Sequence, residues 1–251
     1  ALCELTNSYP AAVIAELVND DGSMMRGAAL DEFAKKTSIK KISISQIKSL
    51  VERKEITKKV DFTWANLPIA GSNWKITTFI STVATEHAVL ALGNLTEQNL
   101  LVRIHSECLT GDAFGSLRCD CGSQLLQAMA EIKAHGSGLI IYLRDHEGRG
   151  IGLGEKIKAY ALQDKGQNTI QANISLGHGV DERSYLDVIE ILKSLNITDI
   201  QLLTNNPDKL AAFAASGINY KARALQAGVN EFNKEYLKTK RDLLNHSLGE
   251  I

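Results

Sequence analysis

Three of the four cysteines in this 251-residue chain fall in one stretch, Arg103 to Cys121, with the spacing C-x10-C-x-C. Three thiolates suit a soft divalent ion, and zinc is the usual occupant of a sulfur-rich site. A structural zinc site takes a fourth protein ligand, whereas a catalytic one keeps that position open for water. His105 could close the site, so spacing alone leaves both kinds open, along with three unlinked thiols or a disulfide plus one spare. On an extended backbone Cys119 and Cys121 would point to the same side. Glu107, Asp112, Arg118 and Asp120 crowd the same stretch with charge, which suits an active site better than a purely structural knuckle.

A second stretch, Glu147 to Leu153 (EGRGIGL), follows the apolar run Gly138 to Leu143 and combines a carboxylate, a cation and three glycines. Glycines let backbone amides approach an anion, and a helix N-terminus just beyond adds a favourable dipole. The loop is neither a Walker loop nor a dinucleotide fingerprint. Asp181 and Arg183 sit two apart in VDERSY; taken alone they read as a surface ion pair. Tyr160, at helical spacing in KIKAYAL, reads alone as a core aromatic.

Taken together, RIHSECLTGDAFGSLRCDCGSQL, YLRDHEGRGIGLGEKIKAYALQDKG, DERSY and LLTNNPDK resemble GTP cyclohydrolase II over roughly residues 60 to 246. That family opens the guanine ring of GTP in the first step of riboflavin biosynthesis, releasing formate and diphosphate and leaving 2,5-diamino-6-(5-phosphoribosylamino)pyrimidin-4-one. The resemblance implies an α/β fold with a mixed sheet and flanking helices, one Zn²⁺ per chain on Cys108, Cys119 and Cys121, and Mg²⁺ with the diphosphate. Zinc lowers the pKa of a bound water toward neutrality, which suits attack on the imidazole carbon that leaves as formate. No Mg²⁺ ligand is named, since this ion favours phosphate oxygens and retained waters.

The same resemblance places Arg103, Ile104, His105, Ser106, Glu107, Gln124, Glu147, Gly148, Arg149, Thr169, Thr204 and Lys209 on GTP. It makes Asp181 a proton acceptor, Arg183 the nucleophile on the α-phosphorus, and Tyr160 a residue needed near the metal for complete hydrolysis. An arginine is never appreciably deprotonated in water, so electrostatic stabilisation of the transferring phosphoryl is the milder role for Arg183. A homodimer is implied. A non-catalytic homologue should have lost a thiolate, Tyr160 or Arg183, and each is present.

Residues 1–58 form a separate piece, and 59–251 the cyclohydrolase-like domain. VIAELVNDDGSMMRG and DEFAKKTSIKKISISQIKSLVERK resemble the C-terminal end of 3,4-dihydroxy-2-butanone 4-phosphate synthase, an enzyme often fused ahead of the cyclohydrolase. Glu16 matches a substrate-contacting glutamate there, but the acidic metal-binding cluster and the Arg-x-Gly-His-Thr run of that family are missing from this chain. A small α/β remnant, inactive as written, is expected, within a longer bifunctional polypeptide if the missing cluster lies upstream of Ala1. Leu30–Lys36 reads as a helix, Lys40–Ser45 as a strand, Ser45–Lys54 as a capped helix and Glu52–Lys59 as a linker.

The elements that must carry the site follow. Ala65–Pro68 reads as an entry turn, and Trp74–Phe79, His87–Leu92, Leu100–His105, Gly138–Leu143 and Asp199–Leu203 as strands. Gln124–His135, Glu155–Lys165, Ser184–Leu195, Pro207–Ser216 and the tail Asn230–His246 read as helical. Strands alternating with helices argue for an α/β sheet.

A formal charge of −1 argues against a nucleic-acid binder. No apolar run reaches the ~18 residues of a membrane span, and the first residues lack the basic segment of a secretory signal. Cysteines of the metal-binding type suit a reducing compartment, so a cytoplasmic protein bound to neither membrane nor nucleic acid is expected.

Overall fold

The computed structural model describes residues 2–6, 8–9, 11–44, 46–47, 62–225 and 228–249. The chain forms two compact units, Ala1–Lys59 and Val60–Ile251. In the first, helices α1 (Leu2–Leu5) and α2 (Gly27–Thr37) flank an isolated antiparallel bridge between Val18 and Met24. The strand expected over 40–45 does not form among the described residues: 40–43 are not in a strand, and 44, 46 and 47 are helical. Most of the helix expected over 45–54, and all of the linker over 52–59, lie outside the described residues.

The second unit is built on a mixed sheet of seven described strands: β1 (Ala65–Ile69), β2 (Ser72–Ile80), β3 (Glu86–Leu92), β4 (Leu100–Ser106), β5 (Gly138–Leu143), β6 (Asp199–Leu203) and β7 (Asn219–Arg223), in the order β1-β2-β3-β5-β4-β6-β7. Pairing is antiparallel from β1 to β5 and parallel from β5 to β7. The antiparallel half alternates, as in β3, where His87, Val89 and Ala91 are buried between more open neighbours. β4 lies at the centre of the parallel half with both faces covered. Leu100, Val102 and Ile104 face Val188, Ile191 and Leu192 of α7 (Leu186–Ser194). On the other face Leu101, Ile140 and Leu203 meet Ala128 and Ile132 of α4 (Cys121–His135). Each such aliphatic contributes about 1.5–3 kcal/mol of burial.

The site is set by connectivity. From β4 the chain runs through α3 (Leu109–Asp112) and α4 to β5 on one side, then returns through α5 (Gly152–Gln163), α6 (Thr169–Ser175) and α7 to β6 on the other. Chain segments therefore diverge beyond the C-terminal ends of β4, β5 and β6, where parallel sheets bind ligands. α8 (Pro207–Ala211) and α9 (Lys234–Leu244) complete the unit.

Three expectations change. Ala65–Ile69 is a strand pairing with β2, because the ladder accepts Pro68 at the sheet edge. Cys119 and Cys121 do not lie on extended backbone; a bend at Asp120 (φ −101°, ψ 6°) leads into α4, whose first residue is Cys121. The helix expected over 207–216 ends at Ala211 and continues as turns. Among the described residues no helix is long and apolar enough to cross a membrane.

Candidate active site

The three cysteines are free, and their sulfurs lie within 4.8 Å of one another. Cys108 and Cys119 Sγ are 3.6 Å apart, far beyond the ~2.05 Å of a disulfide. β4 delivers Cys108, and the bend before α4 delivers the other two. Gly111 makes room: a Cβ there would come 2.8 Å from Cys119 Sγ and 3.2 Å from Cys108 Sγ. Their mutual hydrogen bonds pull the Cys108 thiol down, push Cys119 up to about 11 and push Cys121 well above its ordinary value. The pocket thus accepts one negative charge readily and resists three without a cation at its centre. Sulfur-only donors, close spacing and this charge demand fit a zinc-type ion.

His105 does not join the set. Its Nε2 lies 3.0 Å from both carboxylate oxygens of Asp112, which also accepts from Tyr142 Oη at 2.8 Å and from the Cys108 N–H at 3.1 Å. Burial lowers the pKa of His105 despite Asp112. The residue braces the cysteine loop.

Glu147, buried after β5, accepts the Leu109 N–H at 2.6 Å and pairs with Lys156 of α5. The loop that carries it turns repeatedly through left-handed backbone, with Gly148 at φ 61°, Arg149 at φ 69° and Gly150 at φ 95°. A non-glycine residue held there costs energy, and Arg149 is so held with its side chain buried and Nη1 without a partner. Tyr160 stands under the Arg118 guanidinium, 4.4 Å from ring centroid to Cζ, with Oη 3.4 Å from Thr110 Oγ1. Burial raises its pKa and keeps the phenol protonated.

The three cysteines, His105, Glu147, Arg149, Lys156 and Tyr160 line one open cavity together with Arg103, Gln124, Thr169, Arg183, Thr204 and Lys209. Arg183 Nε donates to Asp181 Oδ1 at 2.9 Å, and Nη1 to Ser106 Oγ at 3.3 Å. Burial would lower the Arg183 pKa, but the bond to Asp181 outweighs it and the value rises. Lys209 Nζ donates to the Ile104 carbonyl at 2.8 Å. Its pKa falls well below the ordinary value through burial, then through repulsion by Arg103, Arg183 and Lys240. His146 drops to about 3 through burial, then Arg183 and Lys209, and His246 to about 3 through burial, then Lys240 and Arg149. Arg103, Arg149, Arg183, Lys209 and Lys240 thus share the wall of one cavity.

Of the sequence-predicted residues, Ile104 keeps its side chain in the core, and Asp181 stands behind Arg183 without lining the cavity. The others in the GTP, zinc and tyrosine sets line it. Sequence reading missed Asn173, whose buried Nδ2 has no partner, and Lys156, His146, Tyr236, Lys240 and His246. Asn173 sat in an unpredicted helix, α6, which an Asn168–Gln171 capping box announces. Nothing local marks the tail residues.

The family model described as GTP cyclohydrolase II matches residues 60–224, and that of 3,4-dihydroxy-2-butanone 4-phosphate synthase matches residues 1–50. Riboflavin biosynthesis protein RibBA of Salinispora tropica is 42% identical over 252 residues, 99% of this chain and 62% of that protein. RibBA of Bacillus subtilis is 43% identical over 258 residues, covering 98% and 63%. The bifunctional riboflavin biosynthesis protein RIBA 1, chloroplastic, of Arabidopsis thaliana is 41% identical over 252 residues, covering 99% and 46%. The chain therefore spans less than two thirds of the length of these relatives. A crystal structure of RibBX, a two domain 3,4-dihydroxy-2-butanone 4-phosphate synthase from A. baumannii, superposes with a TM-score of 0.50 at 20% identity, covering 89% of this chain and 57% of that one, a likeness of fold alone. With more than half of its residues matched by one family model, and the cysteine, Glu147 and Arg183 groups facing a single cavity, the chain belongs to the GTP cyclohydrolase II family.

Proposed function

We propose that residues 59–251 are a GTP cyclohydrolase II domain that hydrolyses GTP to formate, diphosphate and the diaminopyrimidinone ribosyl phosphate. The observation that carries this reading is one cavity whose lining combines three convergent free thiols with the cations Arg103, Arg149, Arg183, Lys209 and Lys240. Cys108, Cys119 and Cys121 would hold Zn²⁺, which when bound supplies Lewis acidity and an activated water for the guanine imidazole ring.

The remaining work falls to the chain. Lys209, Arg149 and Arg183 take the triphosphate, with Thr169 and Thr204 beside them, and Mg²⁺ accompanies the phosphates. Arg103, His105, Ser106, Glu107 and Gln124 surround the nucleoside, and Ile104 acts through its carbonyl on Lys209. Glu147 and Gly148 close the side next to the cysteines. Arg183, held cationic by Asp181, stabilises charge on the transferring phosphoryl, the role that suits an arginine better than nucleophilic attack. Tyr160, protonated and next to the thiol cluster, holds a proton at Oη for the ring-opening steps.

Residues 1–58 are proposed as a remnant of the synthase. The match over residues 1–50 and the greater length of the relatives favour a second reading, in which this chain is part of a bifunctional polypeptide. A homodimer is proposed from the family resemblance, and a cytoplasmic location from cysteines of the metal-binding type.

The test is formate and diphosphate release from GTP by zinc-loaded protein with Mg²⁺. Both products are expected together. Diphosphate without formate would refute the role of the thiols, and neither product with zinc bound would favour a non-catalytic homologue.

A further inference from the structure

The C-terminal segment lies beyond the family match, which ends at residue 224, yet it walls the cavity with Tyr236, Lys240 and His246. It grips the cysteine loop at three points. Gly228 packs so closely that a Cβ would come 2.6 Å from Ser123 Oγ. Asn233, fully buried, donates from Nδ2 to the Cys119 carbonyl at 3.4 Å. Lys240 Nζ donates to both carboxylate oxygens of Asp120 at 2.9 Å.

From Asp120 the order passes inward. Gln124 Nε2 donates to Asp120 Oδ2 at 2.6 Å, and Arg103 Nη2 donates to Gln124 Oε1 at 2.7 Å. Arg103 is itself anchored, Nη1 donating to the Leu203 carbonyl at 2.9 Å. A primary amide is nearly symmetric in shape, so only its partners decide which end donates. A carboxylate at one end and a guanidinium at the other permit a single orientation, because a flip sets N–H against N–H and oxygen against oxygen. Each end of the amide is half used: Nε2 keeps one N–H and Oε1 one lone pair.

We propose that Lys240 is a positioning residue: by holding Asp120 it fixes the orientation of the Gln124 amide, and that orientation makes the cavity select guanine over adenine. Guanine presents a carbonyl acceptor beside a ring N–H donor, and adenine the reverse, an amino donor beside a ring nitrogen acceptor. An oriented amide matches one pattern and opposes the other, whereas a loose amide serves both. The selectivity half of this proposal rests on the function proposed above; the positioning half does not.

The test compares the unaltered protein with Lys240→Met, Lys240→Arg and the double variant Asp120→Asn/Lys240→Met, which removes both buried charges without stranding either. Two readouts are taken on zinc-loaded full chain: the side-chain amide NMR signals of Gln124, assigned by their loss in Gln124→Glu, and the ratio of GTP to ATP affinity. The unaltered protein and Lys240→Arg should show sharp, slowly exchanging Gln124 amide protons. In Lys240→Met and the double variant these should broaden, and the affinity ratio should fall by about tenfold with zinc content unchanged. A double variant with unaltered Gln124 signals, or an unaltered affinity ratio alongside a lower melting temperature, overturns the proposal and leaves Lys240 a structural counter-ion. Absence of GTP binding by the unaltered protein would refute the proposed function, while the amide spectra still decide the positioning role.

Discussion

Lys156 Nζ lies 3.2 Å from Cys108 Sγ and also pairs with Glu147, so a single ammonium ties the thiol cluster to the Gly-rich loop after β5. Burial works against its charge, but the hydrogen bond to Glu147 and the field of Cys108 raise its pKa. Lys156 and Glu147 side chains are 9% and 7% exposed, so removing one partner strands a buried charge. Lys156→Met should cost roughly 3–5 kcal/mol and lower the melting temperature by roughly 10 °C. Lys156→Met/Glu147→Leu should recover most of that loss. A melting curve for Lys156→Met that overlays the unaltered one would show that the pair bears no strain.

The metal and the phenol should separate by mutation. Cys119→Ser is expected to lose zinc and formate release together, since it removes one of three convergent sulfurs. Tyr160→Phe keeps all three sulfurs and should retain zinc while formate release slows by about 10²-fold or more, the usual worth of a positioned proton-transfer group. Zinc analysis beside formate release checks both; normal formate release from zinc-free Cys119→Ser protein would refute the metal assignment.

Gly111→Ala probes the cradle without touching a ligand. The added methyl would stand 2.8 Å from Cys119 Sγ, closer than real Cβ contacts allow, so the sulfurs must part. Zinc affinity should fall by at least about tenfold, as when groups that support a metal site are altered. A zinc titration indistinguishable from that of the unaltered protein would mean that the loop relaxes freely.

Acid should weaken the empty protein and favour the filled one. His146 and His246 have folded values of about 3, below the ordinary 6.5. Between these pH values the unfolded chain binds more protons than the folded one, so stability falls as pH drops from 6.5 toward 3. Burial holds both values down first, and nearby cations add to it, Arg183 and Lys209 at His146 and Lys240, Arg149, Lys209 and Arg183 at His246; a bound triphosphate offsets those cations. GTP binding near pH 6 should therefore take up protons. Calorimetry in two buffers of different ionisation enthalpy would read this uptake; proton release would contradict it.

The sequence by itself determined the donor set, because C-x10-C-x-C offers three thiols whatever the fold, and it determined the five central strands, because their apolar runs are local. The glycine pattern of EGRGIGL was legible too, since left-handed backbone at Gly148 and Gly150 is a property of single residues. Tertiary structure decided what depends on partners far along the chain. Asp120 reads as one more charge in a polar loop until Lys240, 120 positions later, meets it. His105 reads as a possible ligand until Asp112 claims its ring nitrogen. Lys209, Arg183 and Arg103 are ordinary cations in sequence, and only the fold buries them side by side in one cavity. Local periodicity specifies which side chains are buried; which buried charge answers which is settled by desolvation, acting only once the strands and the tail have closed around the cavity.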